Sequence, residues 1–187
     1  MNKTVKFCLT MLLLVLSGCW GDYRTASREP AGIAPPVEAT QEAVIQVYGA
    51  PSWGWRGWFA IHTWIAVKPA GAPAYTVYEV IGWRQNRGLP VVRIEADAPD
   101  RLWYGKRPEL LLDLRGDEAA RLIPRVDAAA KSYPWPNDYA AVPGPNSNTF
   151  PAWIAMQVPE LGLQLPFRAI GAGYVKNAVP VSAMPAD

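Results

Sequence analysis

The chain has 187 residues, half of them hydrophobic, with 18 basic residues, 16 acidic ones and a single histidine. That length and composition exclude a disordered or fibrous chain and leave room for one domain with a real core. The near-balanced charge, with no run of Arg or Lys, argues against nucleic acid as a partner.

At the N-terminus Lys3 and Lys6 precede an apolar run over residues 7–16, and Ser17 and Gly18 then lead into Cys19. The run is too short to cross a bilayer comfortably and reads as a secretory leader. The stretch Leu16-Ser17-Gly18-Cys19 resembles the lipobox of bacterial lipoproteins, which implies cleavage before Cys19 and a lipid on that cysteine. A plain secreted protein cut nearby is the alternative. Trp20 follows where an aspartate would, by the sorting rule of that class, imply retention in the inner membrane. The expected location is therefore the cell envelope, at the outer membrane facing the periplasm.

Removing Lys3 and Lys6 from the 18 basic residues leaves 16 against 16 acidic ones, so the processed chain is neutral. Cys8 leaves with the leader and Cys19 carries lipid, so the domain holds no disulfide, cysteine nucleophile or Cys-bound zinc. Residues 21–40 are rich in Pro, Ala, Ser, Thr and charge, the composition of a flexible tether. The expected organisation is a leader over 1–18, a lipidated Cys19 with its tether over 19–42, one globular domain over 43–176, and a loose tail over 177–187.

Within the domain, residues 43–48 read as a short strand, and 51–57 as a loop carrying Trp53, Trp55 and Arg56. Residues 58–67, from Trp58 through His62 and Trp64 to Val67, are β-branched and aromatic, the composition of a buried strand. After a Pro- and Gly-rich turn the strand pattern resumes over 74–81, giving a hairpin. If its loop is 69–72, Glu79 faces His62 across the strands, where a carboxylate orients an imidazole. Strands are expected at 90–96, 110–114 and 161–170. Residues 117–132 have helical composition, with Leu122, Val126 and Ala129 on one face and a kink or restart expected at Pro124.

Pro143-Gly144-Pro145-Asn146-Ser147-Asn148-Thr149-Phe150 forms a rigid turn running into the apolar stretch 152–156. Small polar residues there cap a helix, Pro151 is tolerated in its first turn, and Ser147 is placed at the positive end of the helix dipole. His62 is the only histidine, so histidine-dependent chemistry must use it. Trp53, Trp55, Trp58 and Trp64 are candidates for lining a groove, although several of the tryptophans belong in the core. Arg84 and Arg87, in a polar turn, are placed to hold a ligand carboxylate or simply to face solvent. No metal-ligand spacing and no glycine-rich phosphate loop is present, so neither metal nor cofactor is expected.

A histidine on an early strand, a polar partner on the next strand and a later helix start in the frame Asn146-Ser147-Asn148-Thr149-Phe150 resembles the circularly permuted papain-like fold. Its relatives include permuted NlpC-type hydrolases and PPPDE peptidases, whose nucleophile is a cysteine where this chain has Ser147. The Pro143–Phe150 turn with its upstream histidine strand resembles more closely a bacterial domain-of-unknown-function family, number 3750, over residues 45–170. The expected fold is α+β, a small antiparallel sheet packed against helices. Two functions follow from the resemblance. One is a non-catalytic binding or structural module at the envelope, with peptidoglycan, a peptide or a lipid as ligand. The other is an acyl or amide hydrolase or acyltransferase using Ser147, His62 and Glu79, with backbone NH groups of the helix start as oxyanion hole.

Overall fold

The computed structural model describes residues 24–178; the leader, Cys19 and residues 179–187 lie outside them. Five strands, β1 (Val44–Pro51), β2 (Ile61–Lys68), β3 (Thr76–Val80), β4 (Val92–Ala96) and β5 (Glu109–Arg115), form one antiparallel sheet in the order β4-β3-β2-β1-β5. Helix α1 (Gly116–Lys131) follows β5 directly, and α2 (Thr149–Gln157) follows the proline turn. The architecture is α+β, as the sequence predicts.

The central strands β1 and β2 are buried along almost their whole length. A strand covered on both faces has no polar side to show, which is why β2 reads as a continuous apolar and aromatic run. Successive side chains nevertheless go to different cores. Ile45, Val47, Ile65, Val67 and Val80 meet Leu122 and Val126 of α1 and Phe150, Trp153 and Ile154 of α2. Val44, Tyr48, Trp64, Ala66 and Val77 form a second core with Trp103 and Tyr104 on the opposite face.

That second core is closed by chain expected to be a tether. Ile33 and Val37 pack against it, and Pro30 bridges Arg101. The Ile33 NH donates to Asp100 Oδ2, the Ala34 NH to the same oxygen at 3.0 Å, and the Leu102 NH to the Glu29 carbonyl at 2.8 Å. Over residues 26–40 the tether-like composition, rich in Pro, Ala, Ser, Thr and charge, therefore misled. The segment is short of strand and helix formers, but specific hydrogen bonds and a few apolar anchors fix it to the sheet.

Three smaller expectations also change. β2 begins at Ile61 because Gly54–Trp58 coils into a 3-10 turn. Helix α1 does not restart at Pro124 but runs through it, with the proline on its exposed side. No strand forms over 161–170: Pro159–Leu161 is a 3-10 turn, and Gly162 and Pro166 break the pattern beyond it.

Candidate functional site

The pleat sends His62 to the second face together with Trp64 and Ala66, whereas Thr63 and Ile65 face the helices. β2 and β3 pair Ile65 with Tyr78 and Ala66 with Val77, so Glu79 falls beside Trp64 and diagonal to His62. The hairpin is thus two residues out of the expected register. A shift of two keeps every side chain on its face, so His62 and Glu79 still meet, with Nε2 3.2 Å from Oε2. An ionised carboxylate only accepts, which assigns the imidazole proton to Nε2.

Glu79 is wholly buried and is held by more than the histidine. Arg101 Nη2 donates to both its oxygens at 2.6 and 2.7 Å, and Arg93 Nη1 to Oε1 at 2.7 Å. Burial alone would raise its pKa, but the His62 hydrogen bond and the two guanidiniums outweigh it and hold the carboxyl down to about 2. For His62 burial is the largest influence and lowers the pKa. Glu79 opposes that effect and Arg101 adds to it. The imidazole lies flat on Trp103, ring centroids 3.6 Å apart and planes within 6°. The pair is a neutral imidazole against a fixed carboxylate, locked by stacking and by charge.

The Ser147 turn is built on the other side of β2. Thr63 Oγ1 donates to Asn148 Oδ1 at 2.9 Å and to the Ser147 carbonyl at 3.3 Å. Asn148 Nδ2 donates to the carbonyls of Ile61 and Ile170. Asn146 Oδ1 accepts from the NH groups of Asn148 at 2.9 Å and Thr149 at 3.2 Å, so the side chain that takes the NH groups leading into α2 is that of Asn146 and not of Ser147. Packing fixes this turn too: a methyl added at Gly171 would collide with the Asn146 amide. Phe150 goes into the helix-face core, edge-on to Tyr133.

The expected triad is therefore brought together only in part. His62 meets Glu79, but no hydrogen bond joins Ser147 to His62 among the described residues, and the side chain that β2 presents to the Ser147 turn is Thr63. Of the NH groups at the helix start, expected to form an oxyanion hole, those of Asn148 and Thr149 are occupied by Asn146 Oδ1.

Nor do the four candidate tryptophans line one groove. Trp64 is sealed in the second core, and Trp53 packs edge-on to Tyr104. Trp55 and Trp58 face outward from the 3-10 turn, Trp58 being 87% exposed. The aromatic residues that do share a cleft are Trp83, Trp103 and Tyr104, with ring centroids 4.9–5.7 Å apart. This cleft has a volume of about 390 Å³ and is lined also by Arg28, Arg84, Arg87, Arg93 and Arg101, with Glu79 and Asp97 as its carboxylates. Among the described residues no cluster of His, Cys, Asp or Glu is able to hold a metal ion, and no helix is long and apolar enough to cross a membrane.

Residues 42–174 match the family described as protein of unknown function (DUF3750). The chain belongs to this family. No curated protein and no solved structure matches it. The family carries no assigned chemistry.

Sequence reasoning singled out Arg84 and Arg87 but missed Arg93, Arg101, Trp103 and Tyr104 as parts of the same site. Arg93 carried a usable signal. It interrupts the apolar pattern of β4 between Val92 and Ile94 and pairs across the ladder with Glu79. An opposite-charge pair between buried β3 and its half-buried neighbour β4 marks a polar interior on that face. Arg101 to Tyr104 lie in a strap without a repeat, and nothing in their spacing assigns them to the sheet.

Proposed function

We propose that the chain is a bacterial envelope lipoprotein, acylated at Cys19, whose domain acts as a non-catalytic binding module in the periplasm. The lipid and the location rest on Leu16-Ser17-Gly18-Cys19 and on Trp20. The non-catalytic reading rests on one observation, that the Ser147 turn and the His62 side chain are served by opposite faces of β2. A serine nucleophile needs a base within hydrogen-bond reach and open donors for the oxyanion. Here the base is stacked on Trp103 and hydrogen-bonded to Glu79, and the Asn148 and Thr149 NH groups are taken. The order of elements, sheet first and then a helix start packed on β2, supports the permuted papain-like arrangement as a scaffold without its chemistry.

A fluorophosphonate probe tests this directly. The full chain in detergent is expected to resist labelling, as is Ser147→Ala. Labelling of the wild type that disappears in Ser147→Ala would restore the hydrolase reading. For the anchor, Cys19→Ala should abolish incorporation of an alkynyl fatty acid and release the protein from the membrane fraction.

A further inference from the structure

The cleft on the second face carries more positive charge than its own carboxylates can neutralise. Glu79 and Asp97 are both held by Arg93 and Arg101: Arg93 Nη1 lies 2.8 Å from Asp97 Oδ2, and Arg101 Nε 3.6 Å from it. At the rim Glu95 bonds Arg93 and lies 3.9 Å from Arg84. Five guanidiniums against three carboxylates leave a surplus of two, spread over Arg28, Arg84 and Arg87, of which, among the described residues, Arg84 alone has a carboxylate, that of Glu95, within 4 Å.

Two of these three are held in place by neutral groups. Arg28 Nη2 donates to the Tyr104 hydroxyl at 2.7 Å and lies over that ring, and Arg84 Nε donates to the Pro90 carbonyl at 2.7 Å. Ordering them this way removes part of the entropy loss that a flexible arginine suffers when it binds an anion. A second observation is independent of the first. Arg101 lines the cleft, is only 5% exposed, and its buried Nη1 has no hydrogen-bond partner. A buried charged donor without an acceptor is costly, and because that nitrogen is closed to solvent an oxyanion in the cleft gains it only when the Arg101 side chain shifts.

Shape narrows the ligand. The cleft volume of about 390 Å³ suits a small molecule rather than a polymer backbone. Trp83, on the same turn as Arg84 and Arg87, is 42% exposed and packs on Trp103 and Tyr104, so its indole is a braced apolar platform beside the guanidiniums. A ring compound bearing an oxyanion uses both halves of such a site, its body on the indole and its charge on the arginines.

The geometry points to a binding site for an acidic saccharide in this cleft, with the carboxylate taken by Arg28, Arg84, Arg87 and Arg101 and the sugar face laid on Trp83. This rests on the binding-module reading and gives it a ligand class. Phosphate shares the oxyanion chemistry but lacks the ring, which makes it the natural competitor.

The test is titration of the full chain in detergent, followed by tryptophan fluorescence and calorimetry, with D-glucuronate, D-glucose and inorganic phosphate. Glucuronate should bind saturably, glucose should not, and phosphate should compete for the glucuronate site with lower affinity. Arg87→Ala and Trp83→Ala, both at exposed positions, should each weaken glucuronate about tenfold. Arg121→Ala, the same charge change on the outer side of α1, should leave binding unaltered. Binding should weaken as salt rises. The proposal is overturned if glucuronate fails to bind, if glucose binds equally well, if phosphate binds as tightly as glucuronate, or if Arg87→Ala with Trp83→Ala leaves affinity unchanged. Fluorophosphonate labelling of Ser147 would end the non-catalytic reading without touching this titration, so the two failures are distinguishable.

Discussion

The two faces of the sheet solve the same problem with opposite materials. Toward α1 and α2 the strands present Ile, Val and Tyr to Leu122, Phe150 and Trp153, and burial of apolar area holds the layers together. On the other face the strands present Gln46, His62, Lys68 and Glu79, all buried, among Trp64, Tyr48 and Trp103. Those groups are tolerated because each has a partner. Tyr48 donates to Gln46, which donates to Asp113; Lys68 donates to the Glu42 carbonyl; Glu79 accepts from two arginines and a histidine. A buried polar cluster contributes little net stability and loses much when one member is removed. The helix face is therefore built for stability, and the polar face holds charges in fixed places.

The sharpest way to break that contrast is Glu79→Ala. It leaves Arg93 and Arg101 without their common anion, and a loss of about 3–5 kcal/mol is expected in urea unfolding. Leu122→Ala on the helix face should cost about 2–5 kcal/mol by transfer and cavity terms alone. The two differ in salt response. Added salt should change the Glu79→Ala deficit and leave the Leu122→Ala deficit unchanged, since only the first is electrostatic.

Acid should separate the faces as well. Glu79 titrates near 2 in the fold against an ordinary 4.5, so its contribution is present above 4.5 and is lost as pH falls from there toward 2. The shift corresponds to roughly 3 kcal/mol. His62 has a folded pKa below its ordinary 6.5, so the unfolded chain takes up that proton first and stability begins to fall once pH drops below 6.5. Unfolding free energy measured from pH 7 to 3 should decline throughout that range. His62→Gln should flatten the upper part of the curve and keep the lower part. A profile that His62→Gln leaves unchanged would mean that the imidazole takes up its proton at the same pH in the fold as in the unfolded chain.

On the Ser147 side the expected losses are those of hydrogen bonds. Asn148→Ala removes donors from the Ile61 and Ile170 carbonyls and an acceptor from Thr63, and about 1–3 kcal/mol should be lost. The loss should be unaffected by salt and by pH between 4 and 8, because nothing in this turn titrates there.

How much of this was legible in the sequence follows from the same division. The helix face obeys periodicity: Leu122, Val126 and Ala129 recur at helical spacing, and the strands of the sheet are recognisable from β-branched runs. His62 with Glu79 was legible because a hairpin error of two residues preserves the face of every side chain. Ser147 with His62 was not, because an order of elements along the chain says nothing about which face of β2 each one serves. The side chain that bonds the Ser147 turn is Thr63, one residue along β2 from His62, and no motif frame resolves one residue. The polar face stayed hidden for another reason. Its cover comes from the 26–40 segment and the 97–107 strap, whose attachment depends on single hydrogen bonds such as Ile33 to Asp100 rather than on any repeat.

The smallest expected effect is the most decisive for the chemistry. In Ser147→Ala only a hydroxyl is lost. The backbone carbonyl that Thr63 binds remains, and so do the Asn146 contacts that begin the helix. Stability should change by less than about 1 kcal/mol, and glucuronate binding on the far face should not change at all. Thr63→Val, which keeps the shape and removes the donor to Asn148 and to the Ser147 carbonyl, should cost more, about 1–2 kcal/mol. The order of the two tests the division between the faces. If Ser147→Ala proves the more costly, or alters ligand affinity, then its hydroxyl communicates across β2, and the sheet is not the partition between turn and cleft that its pleat makes it.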